Sequence, residues 1–127
     1  MNFSDAVSYI SEAENYGIVP GLENISVLCR ELSDPQDKLK FIHIAGTNGK
    51  GSVGTFLNSI LTEAGYKTGR YVSPAVMDYL EKIQICSVNI CEEKFAKCTQ
   101  RVKEAVDRML EKGYPHPTVF EIETAIA

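Results

Sequence analysis

Seven consecutive residues, Gly46-Thr47-Asn48-Gly49-Lys50-Gly51-Ser52, have the types and spacing needed to hold a phosphate chain. Glycines let the backbone turn tightly so that successive N–H groups converge on an anion. The start of a following helix adds partial positive charge, and Lys50 can bridge the outer phosphates of a nucleotide. A glycine-rich turn with an exposed lysine is the plain alternative, common where only two glycines match. The complete G-x-x-G-K-G-S run, with an apolar stretch before it and a helical pattern after it, favours phosphate binding. Gly46, Thr47, Asn48, Gly49, Lys50, Gly51 and Ser52 are therefore the nucleotide-binding candidates, with Lys50 the candidate catalytic residue.

A metal ion would have to be held differently from the usual phosphate-loop pattern. That pattern places Ser or Thr after the lysine, where its hydroxyl reaches Mg²⁺, and here the position is Gly51. Ser52 lies one residue later on the helix. Ser73, in the turn Ser73-Pro74, would follow a second parallel strand and emerge at the same sheet edge as the loop. Ser73 is favoured, although an ordinary turn serine reads almost as well. A hard anionic oxygen is available from Glu121 or Glu123 in Thr118-Val119-Phe120-Glu121-Ile122-Glu123. Thr118-x-x-Glu121 also spells a capping box, the preferred reading of Glu121 on the residues alone. Glu63, Glu92, Glu93, Glu104 and Glu111 fall on or near polar helix faces. Cys29, Cys86, Cys91 and Cys98 include no C-x-x-C pair, and neither His43 nor His116 is near one of them, so the cysteines read as reduced packing residues.

The elements that must position these groups follow from periodicity. Leu39 to Ala45 is a short apolar run ending at glycine and predicts a parallel strand buried on both faces. Val53, Phe56, Leu57, Ile60, Leu61 and Ala64 share one helical face, predicting an inward-facing helix that Gly65 ends. Thr68 to Val72 predicts a second strand parallel to the first through a right-handed crossover. Residues 4–14, with Ser4 or Asp5 as cap, and residues 22–32, ended by Asp34-Pro35, predict two amphipathic helices. Lys82 to Ile90 predicts a strand or hairpin that lacks the usual Asn-Gly turn signal. Glu92 opens a long helix with Phe95, Cys98, Val102, Ala105, Val106, Met109 and Leu110 inward and Lys112-Gly113 at its end. Thr118 would cap a last helix, Val119 to Ala127, which carries no termination signal. The fold class expected is α/β: a truncated P-loop nucleotide-binding fold with parallel central strands flanked by helices.

Composition narrows the function classes. The 127 residues are 44% hydrophobic and 24% charged, enough for one domain with a core. Thirteen basic residues against 17 acidic ones give a net charge of −4 without basic runs, which argues against a nucleic-acid partner. No leader-like N-terminus and no apolar run of membrane-spanning length is visible, so the expectation is a cytoplasmic protein with no membrane partner.

Residues across nearly the whole chain resemble the folylpolyglutamate synthases and bifunctional dihydrofolate synthases, relatives of the Mur peptide ligases. Gly21-Leu22-Glu23, Pro35-Gln36, Leu39-Lys40 and His43 through Ser52 look like that family's opening segment with its phosphate loop. Gly51 leans toward the folate branch, since Mur ligases usually have Thr or Ser there. Tyr71-Val72-Ser73-Pro74 resembles a second motif whose serine is a Mg²⁺ ligand, and Phe120-Glu121 with Thr124-Ala125 a third whose glutamate is another. The resemblance thus raises Ser73 and Glu121 to metal ligands, and capping does not exclude metal binding. Two stretches depart from it: Ala75 stands where the family commonly has His, and Leu80-Glu81-Lys82-Ile83 where it has Asn-Glu-Arg-Ile.

The resemblance implies an ATP-dependent amide ligase that adds L-glutamate to folate or dihydropteroate through an acyl phosphate, with ATP and Mg²⁺ and as a monomer. Family members are considerably longer. Residues 1–127 are thus expected to be the N-terminal part of the ATP-binding domain, with the C-terminal glutamate-binding domain absent and the isolated chain inactive. The abrupt end at Ala127 points the same way. A non-catalytic, truncated phosphate-loop module is the alternative. A P-loop kinase or GTPase is disfavoured by Gly51 and by the lack of an Asn-Lys-x-Asp motif.

Overall fold

Asn2 starts the first helix, α1 (Phe3–Glu12): its side chain accepts from the Asp5 N–H at 2.8 Å while the Asp5 carboxylate accepts from the Asn2 N–H at 3.0 Å. The cap is thus earlier in the chain than Ser4 or Asp5, and Asp5 is the reciprocal partner of a capping box. The structure is a computed structural model and describes residues 1–75 and 77–127. The chain divides into two compact units, 1–39 with 92–126, and 40–91 with Ala127.

The first unit is helical. α1 continues into a 3₁₀ turn, Ala13–Tyr16, and is followed by α2 (Glu23–Glu31); α4 (Glu92–Glu111) and α5 (Val119–Ile126) complete it. Ala6, Ile10, Leu28, Val102, Ala105, Val106, Met109 and Ile122 form its core, and Phe3 meets Phe95 edge to face at 5.8 Å. The periodicity therefore places these helices and most of their inward residues correctly. Leu110 is an exception at 42% exposure, because it lies a further 100° around the helix from Met109. Thr99 takes an inward place instead, its hydroxyl donating to the Phe95 carbonyl at 3.0 Å. At the outer ends of α2 and α4, Glu31 receives Arg108 Nε at 3.3 Å and the Lys112 ammonium, and its carbonyl accepts from Arg108 Nη2 at 2.8 Å. The four cysteines are free, as expected, but none is a buried packing residue: Cys29, Cys86 and Cys98 are half-buried and Cys91 is exposed. Burial, with Asp34 and Asp37 nearby, pushes the Cys29 thiol up.

The second unit holds the glycine-rich segment 46–52, the helix α3 (Lys50–Glu63) and a sheet of β1 (Gly69–Tyr71), β2 (Ile83–Ile85) and β3 (Val88–Asn89). The sheet runs β1-β2-β3 and both pairings are antiparallel, with Arg70 opposite Gln84 and Ile85 opposite Val88. The expected hairpin is present. Its turn residues Cys86 and Ser87 have φ of 48° and 68°, the double positive φ that a two-residue turn of this hand demands and that usually selects Asn-Gly. Ser87 Oγ is held by Asn58 Nδ2 of α3 at 2.8 Å.

Two expectations fail here. Residues 40–45 form no strand, and no parallel pair exists among the described residues. β1 directs its ladder to β2, and the 40–45 run, with Phe41 69% and Ile42 62% exposed, has no strand beside it to pair with. An apolar run that reads as buried on both faces needs neighbours on both sides. The α3 face is also different. Val53, Phe56 and Ile60 are exposed, whereas Gly54 and Asn58 are the buried positions. The sheet packs where the helix surface is small and polar, since Asn58 reaches Ser87 of the hairpin turn and the Arg70 side chain of β1 lies against Gly54.

Candidate functional site

The loop is built as its glycines suggest. Gly46 has φ of 155° and Gly49 has φ of 78°, the latter at the position that caps α3, where a side chain would be strained. No side chain caps α3 and no acid stands in its first turn, so its leading N–H groups and dipole face outward without a competing carboxylate. Lys50 is the first helical residue, and its ammonium donates back to the Gly46 carbonyl, spanning the loop. All seven residues from Gly46 to Ser52 are exposed.

Ser52 lies in the first turn of α3, in the same unit as Ser73, which is exposed just past β1 and joined to Pro74 by a cis peptide bond. Glu121 belongs to α5 in the other unit and is 7% exposed. Its Oε2 accepts from the Thr118 N–H at 2.8 Å and the Thr118 hydroxyl at 3.0 Å, while the Glu121 N–H donates to Thr118 Oγ1 at 3.3 Å. The capping box is therefore real. Both bonds to the carboxylate fall on one oxygen, so Oε1 is not committed to the cap. Glu123 is buried as well, at 6%. Among the described residues no cluster of three or more His, Cys, Asp or Glu side chains exists. A hydroxyl, one carboxylate oxygen and phosphate oxygens are nevertheless hard donors of the kind Mg²⁺ takes.

Arg70 and Asn58 do not stand out in the sequence. Arg70 Nη2 donates to the Gly51 carbonyl at 3.1 Å and Nη1 to Gln84 Oε1 at 3.3 Å. The one signal pointing to them is Gly54, a glycine inside a helical pattern, which usually has a packing reason.

No protein-family model matches the chain. The dihydrofolate synthase/folylpolyglutamate synthase of Bacillus subtilis is 37% identical over 125 residues, 98% of this chain and 29% of that protein. The solved folylpolyglutamate synthetase of Lactobacillus casei superposes with a TM-score of 0.92 at 30% identity, over 99% of this chain and 32% of its own. The chain's homologues are folylpolyglutamate and dihydrofolate synthases. It spans less than a third of the length of these relatives. A further match, at TM-score 0.87 and 29% identity over 100% of this chain and 31% of the other, is a folylpolyglutamate synthase solved with AMPPCP and folate.

The stretch after Ser73 is organised by its own contacts. Asp78 Oδ1 accepts from the Leu80 N–H at 3.1 Å and starts a 3₁₀ turn, Tyr79–Lys82. Glu81 Oε1 accepts from the Met77 N–H at 2.9 Å, and the Lys82 ammonium sits 4.4 Å from the centre of the Tyr79 ring. Among the described residues no helix is long and apolar enough to cross a membrane.

Proposed function

We propose that this chain is the nucleotide-binding portion of an ATP-dependent ligase that joins L-glutamate to folate or dihydropteroate. In the complete enzyme the substrate carboxylate attacks the γ-phosphorus of ATP and ADP leaves, giving an acyl phosphate. The glutamate amine then attacks the acyl carbon, inorganic phosphate leaves, and an amide results. The observation that carries the reading is the loop: two positive-φ glycines, an uncapped helix start free of acids, and Lys50 at its first position.

In this reading the N–H groups of residues 46–52 bind the phosphates. Lys50 leaves its Gly46 contact to follow the γ-phosphoryl group and offset charge that grows during transfer. Ser73 and Glu121 are the proposed metal-holding residues, with Ser52 the other hydroxyl in reach of the same role by sequence. Mg²⁺, when bound, would neutralise phosphate charge. Residues 1–127 act as the N-terminal part of the ATP-binding domain. Cytoplasmic location and a monomeric state belong to the same proposal.

Because the chain spans less than a third of its relatives, the isolated 127 residues are expected to be inactive. Two measurements test the reading. Mg-ATP titrated into wild type and Lys50→Ala should show an affinity drop of about tenfold or more for the variant, the loss of a charge-assisted contact. Equal affinities would remove Lys50 from the site. Substantial glutamate ligation to folate by the isolated chain would overturn its inactivity.

A further inference from the structure

Arg70 sits behind the loop, on β1, and bridges three elements. One guanidinium nitrogen donates to the Gly51 carbonyl of α3, the other to Gln84 on β2, and Gln84 Nε2 in turn donates to Asn89 Oδ1 on β3 at 2.9 Å. Gly51 is the residue that follows the loop lysine. Its carbonyl also accepts from the Thr55 hydroxyl at 2.9 Å, so one backbone oxygen at the loop's exit is held by two side chains. We infer that Arg70 is a positioning residue of the phosphate loop, which fixes the Gly51 carbonyl and places a second fixed cation behind the anion site. The inference rests on the phosphate-binding reading proposed for the loop.

Three observations carry it. Glycine is unfavourable in a helix interior relative to alanine, yet α3 has Gly54 there. A Cβ at Gly54 would stand 3.2 Å from Arg70 Nε, so the missing methyl makes room for the guanidinium. Arg70 Nε is itself buried without a hydrogen-bond partner among the described residues, so the side chain's position is set by the two terminal nitrogens and by Gly54. The third observation is electrostatic. A cation near a helix N-terminus opposes the helix dipole, and here Lys50 and Arg70 both stand at the start of α3 with no acid in the first turn. Such an arrangement is unfavourable when empty and becomes favourable when a polyanion binds. Only arginine offers a planar fork that can hold Gly51 and Gln84 together; lysine keeps the charge and loses the fork.

The test uses the 127-residue chain with inorganic triphosphate as probe. Backbone hydrogen exchange is followed in residues 53–55, in the hairpin and in the helical unit, for wild type, Arg70→Gln and Arg70→Lys. Arg70→Gln is expected to speed exchange in residues 53–55 by about tenfold, as for one hydrogen bond to a charged group, and to weaken triphosphate binding by a similar factor. Hairpin and helical-unit amides should keep wild-type rates. Arg70→Lys should restore part of the affinity without restoring protection. Wild-type exchange at 53–55 in Arg70→Gln would overturn the inference, as would equal acceleration throughout the hairpin, which marks simple packing. If wild type binds no triphosphate, the phosphate-site reading falls, and the exchange rates alone uphold or overturn the brace.

Discussion

Glu31 shows how one side chain makes the helical unit sensitive to acid. The hydrogen bond from Lys112, together with the charge of Lys112 and the contacts of Arg108, holds its carboxyl below the usual range against an opposing desolvation effect. A depressed folded-state pKa contributes stability that is present above the unfolded value and disappears as pH falls through the folded one. Urea midpoints taken from about pH 6 down to about pH 3 should therefore fall for wild type, and fall less steeply for Glu31→Gln. Parallel curves would remove this carboxylate from the acid response. Thr118 offers a second single-residue test. Its hydroxyl both accepts from the Glu121 N–H and donates to the Glu121 carboxylate. Thr118→Ala should cost about 1 kcal/mol of unfolding free energy, with Thr118→Ser close to wild type. A denaturant series at constant slope reads both.

At the scale of elements, the hairpin turn separates backbone strain from side-chain rescue. Cys86 and Ser87 both take positive φ, which costs about 1 kcal/mol or more per non-glycine residue, but only Ser87 is tied to a buried partner, Asn58. Cys86→Asn is therefore expected to stabilise the chain by about 0.5 kcal/mol. Ser87→Gly should destabilise it, because leaving buried Asn58 unpaired costs about 1–3 kcal/mol and exceeds the relief of strain. Opposite signs in one denaturant series would establish that division, and stabilisation by both would discount the Asn58 contact. The same turn shows what the sequence can and cannot disclose. Helices α1, α2, α4 and α5 are legible because each buries a face whose 3.6-residue period is local information. The turn at Gly49 and the start of α3 at Lys50 are legible because glycines at fixed spacing describe a local backbone shape. The 40–45 run misleads because its apolar residues report an environment, not a conformation: a run suited to neighbours on both sides forms no strand where none lies beside it. Arg70 escapes notice because its role depends on the antiparallel register that sets it opposite Gln84, a pairing no local pattern announces.

At the scale of the whole molecule, the face of α3 carries the clearest consequence. Val53, Phe56 and Ile60 recur at i, i+3 and i+7, so they make one stripe, yet they are 46%, 67% and 63% exposed. Monomeric soluble proteins rarely leave large contiguous apolar surface in water. The relatives, at more than three times the length, have the additional chain to cover such a stripe. One pair of substitutions should therefore act differently in two settings. In the 127-residue chain, Phe56→Lys with Ile60→Glu should reduce binding of an apolar dye while changing stability by no more than about 0.5 kcal/mol, since exposed positions contribute little. When residues 1–127 are joined to the remaining length of the Lactobacillus casei relative, the same pair should lower stability by several kcal/mol. Each substitution would place a charge where an apolar side chain worth about 1.5–3 kcal/mol was buried. Dye fluorescence and thermal unfolding of the two proteins, with and without the pair, decide the matter. Similar small effects in both settings would mean that the stripe stays in solvent in the longer chain and that the apolar period of α3 has another cause.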